Sequence, residues 1–321
     1  MKPKIQAEKF AKLYDRDVLP LWSRQFGELL LRDLTVPPSA NVLDVGCGTG
    51  YPALELLDRM DESSRIIAID ASAAMIEEAR TKAGALANRR IFFRSENAVP
   101  KLSFADDVYD VVLCNATLQE FEDPARAVRE FARVTKLGGE LALTVPLAGT
   151  FDEFYDLFRE VLLKLDQRDA LERLAVHLAR YPALSRIEAW FAESGFADVH
   201  SEQKTFKLLF HSGREFFFAP VIEFGPLSNW KRIAGQGPQL QRIFLEIKSA
   251  IDTYFARSPF AVTVVAGVVR GKKAAATEPM PDLYREEIPP GALAEVPIDI
   301  QVLEEPPQPA EELIEEDEAE K

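Results

Sequence analysis

Three glycines at alternate positions, Gly46, Gly48 and Gly50, follow the apolar run Asn41–Val45. Glycine lets the backbone turn tightly, and it lets a ligand approach atoms that a Cβ would block. The next segment, 51–60, has a helical pattern, and the first turn of a helix exposes free backbone N–H groups. This spacing predicts a nucleotide-type ligand site at the carboxyl edge of a parallel sheet.

Two acidic residues accompany this turn. Asp44 lies just before the first glycine, and Asp70 ends a second predicted strand, Arg65–Asp70. In doubly wound folds, an acid about 20 residues after such a turn accepts hydrogen bonds from ribose hydroxyls. The dinucleotide fingerprint G-x-G-x-x-G places its third glycine where this chain has Tyr51. An NAD-type oxidoreductase is therefore the less favoured interpretation.

The chain continues as an alternation of strands and helices. Asp123 and Pro124 suit the N-cap and the first position of a helix, and Gly138 suits its C-terminal stop. The last predicted strand is rich in β-branched residues, which is typical of a strand buried on both faces. Five strands are predicted after Asp70, at 90–94, 109–115, 140–145, 197–206 and 260–270. This order predicts an α/β, doubly wound fold.

The G-x-G-x-G spacing with Asp44 before it, and the order of elements over 14–146, resemble the small-molecule type of class I S-adenosylmethionine-dependent methyltransferases. The resemblance implies a mostly parallel seven-stranded sheet with an antiparallel last strand, and S-adenosyl-L-methionine as cofactor. It also implies methyl transfer by in-line displacement, for which a protein contributes mainly positioning and desolvation.

The same resemblance implies a cofactor site at the carboxyl ends of the strands. The glycine backbone would face the methionine and ribose, Asp44 would hold the amino group, and Asp70 would accept the ribose hydroxyls. Ser95 stands where the family commonly has an acid for the adenine amino group, so Glu96 or Ser95 is expected to replace it. The expected cofactor-binding residues are Tyr14, Asp44, Gly46, Cys47, Gly48, Gly50, Asp70, Ala71, Ser72, Ser95, Glu96, Asn97, Asn115 and Ala116.

No strong acid–base constellation stands out in the sequence. A carboxylate acceptor would need no general base, whereas a phenol or carbon acceptor would need one, and Glu120, His177 and His211 are the candidates. The two cysteines and three scattered histidines have no metal-ligand spacing, so no metal site is expected.

Helical patterns after the fifth strand predict a cap over the cofactor edge, at about 150–184 and 207–258. Capping boxes are predicted at Thr150 and Ser185, and a further cap at Ser212. The chain is most similar to malonyl-carrier-protein O-methyltransferases and quinone-biosynthesis C-methyltransferases. O-methylation of a carboxylate, on a small molecule or a carrier-bound acyl group, is favoured. A quinone-type C-methyltransferase and a non-catalytic S-adenosylmethionine-binding partner protein remain alternatives.

Cationic residues in the predicted cap offer partners for these substrates. A carboxylate substrate would use an arginine, and Arg180, Arg186 and Arg214 are available. An acidic carrier protein would use a basic face, for which the candidates are Lys204, Lys207, Arg214, Lys231 and Arg232.

The net charge of −14 arises mostly after residue 277, where fifteen acidic and two basic residues lie. We therefore expect a folded methyltransferase domain at 1–271 and a disordered, acidic, proline-rich tail at 272–321, which could bind a partner. The nearly neutral domain has no basic stripe for nucleic acid. Without an apolar run of about 18 residues or a signal-peptide core, we expect no membrane span and a cytoplasmic location.

Overall fold

Seven strands form a single sheet in the computed structural model, which describes residues 3–98 and 101–274. The strands are β1 Asn41–Val45, β2 Arg65–Asp70, β3 Ile91–Ser95, β4 Tyr109–Asn115, β5 Thr135–Pro146, β6 Phe196–Phe210 and β7 Phe260–Lys273. Their order is β3-β2-β1-β4-β5-β7-β6. The first five pair in parallel, and β7 is antiparallel to both of its neighbours. The predicted α/β fold with an antiparallel last strand is confirmed.

Helices cover both faces of this sheet. In the described ranges the α-helices are α1 Pro3–Leu13, α2 Ser23–Leu31, α3 Ala53–Leu57, α4 Ala73–Ala83, α5 Pro124–Val134, α6 Asp152–Lys164, α7 Arg168–Leu178, α8 Leu184–Glu193, α9 Gly213–Phe218, α10 Pro220–Glu223, α11 Leu227–Ala234 and α12 Gly237–Tyr254. A π-helical turn, Tyr14–Val18, follows α1. None of the described helices has both the length and the apolar character of a bilayer span.

The sheet separates two apolar cores, because successive side chains of a strand point to opposite faces. Val42 and Leu113 belong to the core that also contains α2, α3, α4 and the aromatic residues of α6. Leu43 and Val112 belong to the core covered by α5 and α8. The last strand, which was predicted to be buried on both faces, contributes Val264 to the first core and Val265 to the second.

Side-chain caps start two helices as predicted. Asp123 accepts from the backbone N–H of Arg126 at 2.9 Å, and Ser212 accepts from that of Glu215 at 3.0 Å. Gly138, the predicted stop, lies instead within β5, and the helix ends at Val134.

The capping boxes predicted at Thr150 and Ser185 are wrong. The Thr150 hydroxyl accepts from the backbone N–H of Val265 at 3.1 Å, so it joins the segment before α6 to the sheet. Ser185 lies inside α8, which begins one residue earlier. In both cases the predicted capping side chain is not at the N-cap position, and no side-chain cap is present.

The predicted cap segments contain two groups of helices, α6–α7 and α9–α12. Both strands beside them are longer than predicted, since β6 continues to Phe210 and β7 to Lys273. Residues 275–321, which are nearly all of the predicted acidic tail, lie outside the described residues. The division at 271/272 stays a prediction.

Candidate cofactor and acceptor site

The glycine turn after β1 is tied to the end of β2. Gly46 and Gly48 have φ values of +75° and +52°, which favour glycine. The Gly46 N–H donates to the carbonyl of Ile69 at 2.8 Å, and the Gly48 N–H donates to Oδ2 of Asp70 at 2.9 Å. A Cβ on Gly48 would meet only the Tyr14 ring, 3.9 Å away. The turn therefore presents bare backbone to the space above it.

Asp70 ends β2 beside this turn. Its Oδ1 accepts from the backbone N–H of Ser72 at 2.8 Å. Burial raises the pKa of the Asp70 carboxyl, and the N–H groups of Ser72 and Gly48 lower it in part. The Ser72 hydroxyl in turn caps α4 at the N–H of Met75, 3.4 Å away. Asp70 is thus an oriented acceptor held between two backbone donors.

Asp44 is fully buried, and neither of its carboxylate oxygens has a hydrogen-bond partner among the described residues. Burial, and then repulsion from Asp70, raise its pKa to about 7. The backbone N–H of Ala53 offsets part of that rise without the geometry of a full hydrogen bond. Buried polar atoms are nearly always satisfied, so this carboxylate fits a donor or a cation supplied from outside the chain.

A cavity of about 570 Å³ opens above the turn. We call the part lined by the glycine turn and Asp70 the near end, and the part lined by α7, α11 and the residues that follow α7 the cap end. The lining residues are Tyr14, Val18, Trp22, Gly46, Gly48, Asp70, Ser72, Met75, Ala116, Thr117, Gln119, Glu120, Pro146, Phe151, His177, Arg180, Tyr181, Val221, Phe224, Gly225, Pro226, Ser228, Asn229 and Arg232.

Eight of the sequence-predicted site residues are among them: Tyr14, Gly46, Gly48, Asp70, Ser72, Ala116, Glu120 and His177. The hydroxyl groups of Tyr14 and Ser23 are hydrogen-bonded, with their oxygens 2.6 Å apart, and this bond holds the Tyr14 ring beside Gly48. Its neighbour Asp15 accepts from Thr49 Oγ1 and from Lys82 Nζ, both at 2.5 Å. The segment after α1 is thereby held over the glycine turn.

The other predicted residues lie outside the lining: Asp44, Cys47, Gly50, Ala71, Ser95, Glu96, Asn97, Asn115 and His211. The Glu96 carboxylate accepts from the N–H and the hydroxyl of Ser103, at 2.8 and 2.9 Å. Asn115 donates to the Ser23 carbonyl at 3.0 Å and accepts from Thr144 at 2.7 Å. Both side chains hold neighbouring segments, and their cofactor roles stay predictions.

The cap end of the cavity is cationic. Arg180 and Arg232 line it, and neither forms an ion pair with a described carboxylate, although Arg232 donates to the Asn229 side chain. Burial, followed by these two arginines, lowers the pKa of His177 to about 4. Of the other predicted cations, Arg186 lies over the Trp190 ring and Arg214 over the Phe218 ring.

An aromatic wall also lines the cavity, and it was not predicted from the sequence. Trp22 and Phe151 stack with ring centroids 5.9 Å apart and an interplanar angle of 12°. Phe151 has a φ of +64°, which is rare for a bulky residue, and its N–H donates to the Thr263 carbonyl at 2.7 Å.

Gln119 also lines the cavity, and its Oε1 has no partner among the described residues.

The chain is similar to known proteins in sequence and in fold. A family model described as a methyltransferase domain matches residues 43–143. The ubiquinone/menaquinone biosynthesis C-methyltransferase UbiE of Xanthomonas campestris is 29% identical over 66% of this chain and 90% of its own. A malonyl-[acyl-carrier protein] O-methyltransferase of a Paenibacillus species is 29% identical over 54% of this chain and 62% of its own. The crystal structure of YcgJ from Bacillus subtilis has a TM-score of 0.52 at 21% identity, covering 78% of this chain and 99% of that one.

These similarities support a class I S-adenosylmethionine-dependent methyltransferase.

The near end of the cavity fits the cofactor of this methyltransferase family. Bare backbone at Gly48 leaves room for a closely packed ligand, Asp70 offers oriented acceptor oxygens, and the unpartnered Asp44 carboxylate suits a cationic amine. The described residues bring together no group of three His, Cys, Asp or Glu side chains that could hold a metal ion.

Proposed function

We propose that this methyltransferase transfers a methyl group to a carboxylate oxygen of a small molecule or of a carrier-bound acyl group. The observation that carries the proposal is the pair of arginines, Arg180 and Arg232, which line the cap end of the cavity without a carboxylate partner among the described residues. The planar guanidinium group matches a carboxylate in shape and charge.

In this proposal the cofactor occupies the end near the glycine turn. Gly46 and Gly48 lie against it, Asp70 accepts from its ribose hydroxyls, and Asp44 attracts its amino group. Tyr14, fixed by Ser23, covers it from the segment after α1. The placement of Gly48 and Asp70 in the same cavity as the arginines supports this division of the space.

S-adenosylmethionine supplies an electrophilic methyl group on a sulfonium. Transfer of this methyl group to a carboxylate oxygen forms a methyl ester, and the electrons of the broken carbon–sulfur bond stay on sulfur. No proton is released. The chain therefore has to orient the acceptor and exclude water rather than remove a proton. This fits His177, whose pKa of about 4 makes it a weak base at neutral pH.

A carrier-bound acyl group is included because the cationic end of the cavity is also exposed. Arg180, Lys231 and Arg232 are exposed, and a thioester substrate presented there would be accompanied by an acidic protein surface. The similarity to a malonyl-[acyl-carrier protein] O-methyltransferase supports the same substrate class.

C-methylation of a quinol is the second candidate. The aromatic wall of Trp22 and Phe151 would suit a flat ring, and Glu120 lines the cavity as a potential base. The similarity to the quinone-biosynthesis enzyme supports it.

One experiment separates the two candidates. The purified protein is incubated with S-adenosylmethionine and either the N-acetylcysteamine thioester of malonic acid or a demethylated quinol, and S-adenosylhomocysteine is measured by mass spectrometry. We expect turnover with the malonyl thioester and a product whose fragmentation in the mass spectrometer places the added methyl group on the carboxyl group, as in a methyl ester. A methylated product formed only from the quinol would contradict the proposal.

A further inference from the structure

Four side chains of the cap form a hydrogen-bonded cluster behind the cavity wall. The Trp230 indole N–H donates to the Tyr155 hydroxyl at 3.1 Å. That hydroxyl lies 2.9 Å from Nε2 of His177 and 3.3 Å from the Tyr181 hydroxyl. Trp230 and Tyr155 are buried, whereas His177 and Tyr181 line the cavity. The cluster thus connects the interior of the cap to the acceptor space.

The number of donors and acceptors leaves two arrangements. A tyrosine hydroxyl has one proton to donate and two lone pairs, and an indole N–H can only donate. Trp230 therefore occupies one lone pair of Tyr155. In the first arrangement Tyr155 donates to His177 and accepts from Tyr181. In the second, Tyr155 accepts from His177 and donates to Tyr181.

The two arrangements present different groups to the cavity. The first uses the Tyr181 proton inside the cluster, so only a lone pair of Tyr181 faces the acceptor. The second leaves that proton free, at the end of a chain of donors that all point toward the cavity. Hydrogen bonds in such a chain polarise one another and strengthen the terminal donor.

An anion bound at this end of the cavity would favour the second arrangement, because only that arrangement leaves the Tyr181 proton free to bond to it. Burial, and then Arg180 and Arg232, lower the pKa of His177, so the imidazole is neutral and can carry its proton on Nε2, as the second arrangement requires. Burial raises the pKa of Tyr181, so its hydroxyl keeps its proton. Glu120 and Asp152 are the carboxylates that act on the two tyrosines, and both favour the protonated hydroxyls.

We propose that the Tyr181 hydroxyl donates a hydrogen bond to the anionic group of the acceptor. Tyr155, held by Trp230 and His177, is the positioning residue that orients this hydroxyl. This inference rests on the proposed carboxylate acceptor and adds a neutral donor to the two arginines. It also gives the site a means of discrimination, because an uncharged amide in place of the carboxylate gains less from a polarised donor.

The test measures binding separately from turnover. Isothermal titration calorimetry, with the protein saturated with S-adenosylhomocysteine, gives the Kd of the malonyl N-acetylcysteamine thioester and of its amide analogue. We expect Tyr181→Phe to raise the Kd of the malonyl thioester roughly tenfold and that of the amide less. Tyr155→Phe should act in the same direction by a smaller factor. The Kd of S-adenosylhomocysteine should not change in either variant.

Tyr254→Phe is the matched control, since it removes an exposed hydroxyl that bonds to Glu160 on the cap surface. An unchanged malonyl Kd in Tyr181→Phe, with normal ester formation by the wild type, would overturn the inference and leave the proposed function intact. Weakened binding in Tyr181→Phe, with no ester formed by the wild type, would support the inference and overturn the proposed function. If the wild type fails to bind the malonyl thioester, both fall. Should Tyr155→Phe not fold, Tyr181→Phe decides alone.

Discussion

The two ends of the cavity are built in different ways. At the near end, Gly46, Gly48 and Asp70 line the ligand space and Asp44 is buried beside them, all within one stretch of chain, 44–72. At the cap end, side chains from α7, the segment after it and α11 meet although they are about 50 residues apart. The near end is therefore determined by local geometry, and the cap end by tertiary packing.

The charges of the two ends differ in the same way. Asp44 is a buried carboxylate without a hydrogen-bond partner in the described part of the chain, whereas Arg180 and Arg232 are exposed cations. Removing a buried charge has large effects and removing an exposed one has small effects, because water screens the second. On this basis, the following substitutions are ordered from the largest expected effect to the smallest.

Asp44→Asn should have the largest effect, on the stability of the free protein. Burial raises the Asp44 pKa from 3.8 to about 7, so between those values the folded state binds the proton more tightly than the unfolded state. The Asp44 contribution to stability is thus lost as pH rises from about 4 to about 7, by up to about 4 kcal/mol. Thermal melts should show that the Tm of the variant rises relative to that of the wild type as the pH increases over this range. Asp156→Asn, on the exposed face of α6, is the control. A difference that does not vary with pH would show that the carboxylate is partnered.

Asp70→Ala tests the near end directly. We expect cofactor binding to weaken by ~1–3 kcal/mol, because the variant loses oriented acceptors that are partly buried. Calorimetry with S-adenosylhomocysteine gives the Kd, and Asp156→Ala serves as the control. The same Kd in both variants would argue against ribose recognition by Asp70. The acceptor Kd should change little, because the acceptor site lies at the other end.

These two residues also show why the near end was predictable. The glycine spacing, Asp44 and Asp70 lie in fixed positions relative to strand ends, so the strand pattern places them. The pattern did not reveal that Glu96 and Asn115 bond to Ser103, Ser23 and Thr144. Those partners are 7 to 92 residues away in sequence, and which of them reaches a given side chain depends on packing.

The cap end could be predicted only as helices of approximate extent. Arg180 was one of three arginines with no sequence feature to separate them, and the structure places Arg186 and Arg214 against rings elsewhere. Tyr181, Phe151 and Trp230 had no signal in the sequence, since helical periodicity gives the buried face of a helix but not its neighbour. Thr150 was misassigned as a cap because its hydroxyl bonds to β7 across 115 residues.

Arg180→Gln should have a smaller effect, confined to the acceptor. The side chain is exposed, so we expect the KM of the malonyl thioester to rise about threefold to tenfold rather than more. Steady-state kinetics with saturating S-adenosylmethionine give this value. Arg186→Gln removes an equivalent charge that stacks on Trp190, outside the cavity lining, and should leave KM unchanged. Equal effects of the two substitutions on KM would mean that the overall positive charge of the cap, and not a contact with Arg180, attracts the acceptor.

The smallest expected effects come from removing one helix N-cap in each region. The Ser212 side chain is the N-cap of α9, in the helical cap, and accepts a hydrogen bond at 3.0 Å. The Asp123 side chain is the N-cap of α5, which packs on the sheet, and accepts one at 2.9 Å. Each substitution to alanine should cost ~1 kcal/mol and lower Tm by about 2–4 °C. If the cap and the sheet unfold together, both variants shift a single transition by similar amounts, because they share the apolar core that includes Phe216 and Val262. A second, earlier transition in Ser212→Ala alone, measured by calorimetry, would show that the cap unfolds separately; the cap end of the cavity would then be the part that opens to admit the acceptor.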